Sequence, residues 1–325
     1  MDDDLALLAR HFSVFILTQA DETQRDQLWQ LGVRAPIMQY LNFESIQDPG
    51  GCDRQPRRNQ AAYKAGDFCW IEREHPDWFL RDINGQPIRL NGDRVMMDPA
   101  QPGWREFWLQ RAREGQETLG WQGVFMDNVR SNLSRRLGGV SAAGYPNDAL
   151  YQAAVEDFLS YVYLDYFQPT GRPLLANIAA HYDTSAWPRY LRYLDGAMEE
   201  RFAVGWESGD YLTLAQWEAQ MTQMEQTQAS GKYIILVAQG DPGDLPRQTF
   251  AFASYLLISG GRAAFRYSLG DSGYAEAWLY DNYQLELGAP LGLRLQQGDE
   301  WRREFQHGRV MVNPVTHETL IEPAP

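Results

Sequence analysis

Residues 121–130 read WQGVFMDNVR, and residues 194–202 read LDGAMEERF. In each, a glycine opens a short apolar run that closes on an acid four positions later: Gly123 to Asp127, and Gly196 to Glu200. Apolar runs of this length are the pattern of strands buried on both faces. Positions i and i+4 of a strand point to the same side, so each carboxylate shares a face with its glycine. The two segments are matching frames, each ending on an acid.

Working outward, the same kind of run recurs at residues 12–19, 36–43 and 67–74 before the first frame. It recurs at residues 173–179 between the frames, and at 233–239 and 262–268 after them. Counting both frames, these make eight strands. Helical segments fall between them at residues 21–31, with Asp21 as a cap, and at 148–167, 214–229 and 247–258. Leu214, Trp217, Met221 and Met224 sit at helical spacing. Eight βα units predict an α/β fold, a closed (β/α)8 TIM barrel over residues 1–290. No GxGxxG follows the first strand, which argues against a dinucleotide fold.

Two regions break the rhythm. Between the third and fourth predicted strands lie about fifty residues, too many for a simple βα loop and expected to form a lid or substrate-facing excursion. They include HPDWFLRDINGQPIRL (residues 75–90) and MMDPAQPGW (residues 96–104). At the other end, residues 291–325 carry WRREFQHGRVMVNP and THETLIEP. These predict a small antiparallel β element, with a turn at His307–Gly308, packed on the barrel's last helix.

Composition narrows the function. The 325 residues are 44% apolar, enough for a sizeable core, with a net charge of −14. Such a surface repels phosphate backbones, so no nucleic-acid partner is expected. A neutral or cationic sugar polymer fits better than a strongly anionic one, although the same charge also simply keeps a protein soluble. No run approaches the length of a membrane span. The start, MDDDLALLARHFSVFIL, is acidic where a signal peptide is basic. Location is therefore left open: extracellular or periplasmic if a leader was removed, cytoplasmic otherwise. The five histidines form no HxH or HExxH, and no metal or other cofactor is expected. Cys52 and Cys69 could pair between two loops, but spacing gives no geometry, and free thiols are the expected state. Oligomeric state is left open.

In a barrel the chemistry sits at the C-terminal ends of the strands. Two carboxylates at one mouth are what cleavage of a glycosidic bond requires: one protonates the leaving oxygen, the other attacks or activates water. Asp127 follows Val124, Phe125 and Met126, and Glu200 follows Ala197 and Met198. An acid in an apolar frame is costly unless paired or used. The plainer reading is a strand-end acid satisfied by an arginine or a helix N-terminus. Glu199 competes with Glu200, because a one-residue register change exchanges them, and a Glu199–Arg201 contact would explain both.

Other strand-end groups offer the amides and phenols that sugar hydroxyls need: Gln39, Tyr40, Asn128, Asn177, Gln239, Arg266 and Tyr267. Trp70 is the candidate aromatic platform, with Trp78, Trp121, Trp187 and Trp206 in or near strand-end segments. His181, just past the fifth predicted strand, could contact substrate. Asp98 reads as a turn-former before Pro99.

GWQGVFMDNV resembles the fourth-strand motif of TIM-barrel glycosidases, in which Asp-Gly, three apolar residues and a catalytic Asp follow one another. LDGAMEERF is similar to the sixth-strand motif of the same group. HPDWFLRDINGQPI, VMMDPAQPGWREF and REFQHGRVMVNP resemble further blocks of the glycosyl hydrolase families near the endo-α-1,4-polygalactosaminidases. The likeness covers most of the chain, with one departure: Gln122 stands where an Asp usually precedes the glycine. The resemblance implies an O-glycosidase acting on a poly- or oligosaccharide, with Asp127 as nucleophile or base and Glu200 as general acid/base. The alternative is a non-catalytic carbohydrate-binding barrel. Sugar, linkage, stereochemistry and endo or exo action stay open.

Overall fold

The computed structural model describes residues 2–180, 183–206, 209–270 and 276–324. The chain divides into two compact units, Met1–Ala197 and Met198–Pro325.

The first unit contains β1 (Phe15–Leu17), β2 (Ile37–Asn42), β3 (Ser45–Gln47), β4 (Arg89–Leu90), β5 (Arg94–Met96), β6 (Gly123–Arg130) and β7 (Leu174–Ala179). Strands β1, β2, β6 and β7 are parallel and lie in that order. The register sets Met38 beside Gly123, Tyr40 beside Phe125 and Asn42 beside Asp127. Ile37, Met38 and Leu41 are buried, as are Val124, Phe125 and Met126, so neither strand alternates. That is the signature of a parallel sheet covered on both faces.

The helix Pro102–Glu117 shows what covers one of those faces. It begins with proline in its first turn and buries Trp104, Trp108, Ala112 and Gly115, one stripe at helical spacing. A Cβ on Gly115 would stand 2.2 Å from Gln39 Oε1, so the missing side chain is what lets helix and strand close together. The segment 148–167 is helical as expected, Asp148–Val162 running into a π-helical turn at Tyr163–Phe167.

The predicted third strand is not a strand. Residues Asp67–Glu74 form a helix that starts after Gly66, which is held at φ 87°, and buries Phe68 and Ile71. Those two are three apart, a helical spacing; the apolar content of DFCWIERE fits either element over so short a run. The cysteines are paired: Cys69 on this helix forms a disulfide with Cys52, correcting the expectation of free thiols. The span from β2 to β6 therefore holds two α-helices, a short 3-10 helix at Pro76–Trp78 and a separate antiparallel sheet in the order β3-β5-β4. Asp127 lies on the third parallel strand of the chain, not the fourth.

Strand β8 (Gly196–Glu199) spans the boundary between the units. The second unit contributes β9 (Tyr233–Gln239) and β10 (Ala263–Ser268), which pair in parallel with Gln239 beside Ser268. The architecture is mixed α/β, with a parallel sheet that has seven strands among the described residues where eight were expected, and a small C-terminal antiparallel sheet. That second sheet is β11 (Leu295–Gln297), β12 (Glu300–Phe305), β13 (Gly308–Val312) and β14 (Thr319–Pro323); its hairpin turn is Gln306–His307, one residue before the His307–Gly308 expected. Arg303 ties it to the helix Leu245–Ile258, donating to the carbonyls of Leu256 and Ser259 at 3.0 and 2.8 Å. The helix Leu214–Ala229 has the predicted bounds and opens with a capping box of Thr213 and Gln216. No helix among the described residues is long and apolar enough to cross a membrane.

Candidate active site

Asp127 sits where β6 departs from regular pairing. Met126 pairs with Ala176 and Val129 with Ile178, so Asp127 and Asn128 together face the single residue Asn177. This is a one-residue bulge, a device that re-aims a side chain at a strand end. Asn128 absorbs it with φ 64°, a left-handed conformation that asparagine tolerates better than most residues.

The bulge gathers donors on the Asp127 carboxylate. Asn177 Nδ2 donates to Oδ1 at 3.0 Å, and Asn128 Nδ2 donates to Oδ2 at 2.6 Å. The Tyr40 hydroxyl also donates to Oδ2. Tyr40 and Asn42 share a face of β2, which brings that face to Asp127. Burial pushes the Asp127 carboxyl above its ordinary value, against the lowering pull of Tyr40, Asn177 and Asn128. The Tyr40 phenol is pushed well above its own ordinary value, first by burial and then by the charge of Asp127, and stays a donor.

A charged support stands behind these donors. Arg130 donates to Asn128 Oδ1 at 2.7 Å and to Glu44 Oε2 at 2.9 Å. Arg136 reaches the same Glu44 at 2.5 Å. The Glu44 side chain is almost wholly buried, while both arginines are about a quarter exposed, at 24% and 26%. Sequence reasoning missed Glu44, Arg130 and Arg136. The available signal was parity: Glu44 continues the spacing of Tyr40 and Asn42.

In the second unit, Glu199 is buried and its Oε1 accepts the backbone N–H of Arg201 at 2.8 Å. That is a variant of the Glu199–Arg201 contact anticipated from sequence. Glu200 is partly exposed and follows the last residue of β8. Gln239 is buried, donates to the Glu200 carbonyl at 2.9 Å and accepts the N–H of Gly270 at 2.7 Å, so its amide fixes backbone at the strand ends. Arg266 donates to the Glu276 carbonyl. Tyr267 is buried against Gly240, where a Cβ would meet its hydroxyl oxygen at 1.9 Å.

The structure thus brings Tyr40, Asn128 and Asn177 onto Asp127. Gln39, adjacent to Tyr40, necessarily faces the other side of β2 and meets Gly115. Trp70 is on the helix Asp67–Glu74, not at a strand end. Asp98 forms the expected turn, accepting the N–H of Ala100 at 2.9 Å. His181 lies outside the described residues. Among the described residues no group of three His, Cys, Asp or Glu is placed to hold a metal ion.

Residues 35–309 match the model of hypothetical glycosyl hydrolase family 15. The chain belongs to that family. Membership accords with the resemblance carried by the two frames, both of which lie within the matched span. Hypothetical glycosyl hydrolase family 15 here shares its fold with structures of known hydrolases. The glycoside hydrolase domain of PelA from Pseudomonas aeruginosa is 18% identical, with 82% of this chain and 90% of that one covered and a TM-score of 0.54. A noncanonic maltogenic α-amylase, AmyB from Thermotoga neapolitana, is 12% identical, with 97% and 80% covered and a TM-score of 0.53. The α-amylase of Geobacillus thermoleovorans, solved with acarbose, is 10% identical, with 96% and 79% covered and a TM-score of 0.51. At these identities the likeness is one of fold. No curated protein matches the sequence.

Proposed function

We propose that this member of hypothetical glycosyl hydrolase family 15 cleaves a glycosidic bond in a poly- or oligosaccharide, with Asp127 as nucleophile or base and Glu200 as general acid/base. The observation that carries the reading is the set of three side-chain donors converging on Asp127 at the end of a parallel strand. A carboxylate fixed from both of its oxygens cannot rotate away from a sugar's anomeric carbon, and positioning of this kind is a large part of catalysis. Glu199 is buried, whereas Glu200 is partly exposed just past the end of β8, which supports Glu200 as the second acid.

The reaction needs no cofactor. Glu200 would protonate the leaving oxygen while Asp127 attacks the anomeric carbon or deprotonates the water that does. A carboxyl separation of about 5 Å gives retention, and one well above roughly 6.5 Å gives inversion. Tyr40, Asn128 and Asn177 are positioning residues for Asp127 in this reading.

The test is hydrolysis of a glycan panel by the wild type, Asp127→Asn, Glu200→Gln and the double variant. Cleavage of at least one glycan by the wild type, lowered by roughly 10² to 10⁴ in each single variant, is the expected result. Near-normal turnover in either variant would overturn the pair. Saturable binding with no cleavage would make the protein a carbohydrate-binding barrel instead.

A further inference from the structure

The helix Pro102–Glu117 has a second stripe. Phe107, Gln110, Arg111 and Glu114 recur at i, i+3, i+4 and i+7, a stripe that borders the buried one, with Arg111 one turn before the Gly115 that meets Gln39. Together with Asp67 and Trp70 from the helix Asp67–Glu74 they line a surface pocket. Gly115 meets the Gln39 side of β2, whereas Asp127 is bonded from the Tyr40 side, so the helix that carries the pocket packs on the side of β2 opposite the Tyr40–Asp127 bond.

The pocket has an aromatic wall and a charge-neutral polar floor. Trp70 is 38% exposed and is backed by Phe107, stacked at a centroid distance of 5.8 Å, with Trp78 and His75 against it edge-on. The disulfide at the preceding residue, Cys69, anchors the helix that presents the ring. On the floor, Arg111 bridges Asp67 at 2.6 Å and Glu114 at 3.0 Å, and Lys64 reaches Glu114 at 2.6 Å. Two cations and two carboxylates balance, so the site has no preference for a charged ligand. Carboxylate oxygens and the Gln110 amide still have acceptor and donor capacity, the complement of a hydroxyl group. An exposed indole face supplies the apolar surface that a sugar ring's C–H face covers.

We infer that this pocket binds a neutral saccharide chain apart from Asp127, a second holding point for the polymer on which the enzyme acts. The inference rests on the glycosidase reading for its choice of ligand. It fits the ordering of Trp70 by disulfide and neighbouring rings, since a rigid platform loses little freedom on binding.

The test uses the full chain carrying Asp127→Asn, so that no probe is consumed, titrated with maltohexaose, cellohexaose and N-acetylchitohexaose. Amide hydrogen exchange is followed in residues 67–74 and 107–114. Expected are slowed exchange in both segments with at least one hexasaccharide, and a loss of this protection on adding Trp70→Ala. Affinity at this site should fall at least about tenfold, a change of about 1.4 kcal/mol. Gln110→Ala, a surface change that spares the ring cluster, should weaken the same binding and covers the case in which Trp70→Ala unfolds. Absence of protection with all three sugars, or protection unchanged in both variants, would overturn the proposal. Wild-type hydrolysis of the same sugars is scored separately. Hydrolysis without protection sinks the pocket alone, whereas protection without hydrolysis sinks the catalytic reading and leaves the pocket standing.

Discussion

Gln122 and Asp195 occupy the same place in the two frames and make the same bond. Gln122 Oε1 accepts the N–H of Ile37 at 3.0 Å, and Asp195 Oδ2 accepts the N–H of Leu174 at 3.0 Å. Each thereby pins the first residue of the neighbouring strand, β2 in one case and β7 in the other. Each also takes a second donor, Trp29 Nε1 at 3.3 Å for Gln122 and the Tyr163 hydroxyl at 2.9 Å for Asp195. The departure from the family motif at Gln122 is therefore conservative in function: an amide oxygen accepts what a carboxylate oxygen would. Gln122→Ala should cost about 1 kcal/mol of stability, the value of one such bond, while Gln122→Asp should recover most of it. Urea denaturation midpoints of the two variants measure this.

The donors on Asp127 pull its titration down against burial. Removing one should let the carboxyl rise further. If Asp127 works ionised, activity falls as pH drops through its pKa. Tyr40→Phe and Asn177→Ala should therefore move the acid limb of the kcat/KM profile to higher pH. A limb that stays in place or moves down would show that Asp127 is not the group being titrated.

The same shift has a consequence for stability. A carboxyl whose folded pKa is raised binds more protons folded than unfolded, in the window between the ordinary value of 3.8 and the raised one. Folding stability from this group is therefore lost as pH climbs through that window. Asp127→Asn has no such loss, so its melting temperature relative to wild type should rise between pH 4 and pH 7. Melting curves at the two pH values decide the sign.

Glu44 neutralises two arginines, one of which holds Asn128. Glu44→Gln should cost about 2 kcal/mol, less than for a fully buried pair because both arginines reach water. It should also lower kcat by freeing Arg130 from its second anchor. A variant that loses stability but keeps kcat would confine Glu44 to a structural role.

The disulfide closes a loop with a sequence separation of 17. Cys52→Ser together with Cys69→Ser should cost about 3 kcal/mol, the loop-entropy value for this length. Thermal melts with and without reductant compare directly with the double variant.

Much of this was legible in the sequence, for identifiable reasons. The first frame and the strand at residues 233–239 carry continuous apolar runs, and Leu214–Ala229 has buried residues at helical spacing. Asp127 could be picked out because it ends such a run. Asp67–Glu74 was misread because eight residues with two buried positions do not distinguish a helix from a buried strand. Gln39 and Tyr40 were grouped as neighbours in sequence, although adjacent strand residues must face opposite ways. The bulge at Asp127 and Asn128 and the Glu44 ion pairs are tertiary facts, set by how β7 and distant arginines approach β6, and no local pattern encodes them.

Asn128 meets three demands at once: a left-handed backbone, a donor for Asp127 and an acceptor for Arg130. Glycine could satisfy only the first. Aspartate could take the backbone and the arginine but would set a second negative charge against the carboxylate it should support. Alanine meets none of them without strain. The dipeptide Asp-Asn at the end of this strand is thus a diagnostic for sorting related chains. A relative that keeps the aspartate but replaces the asparagine has the acid without its setting, and is the place to look for scaffolds that have given up the chemistry.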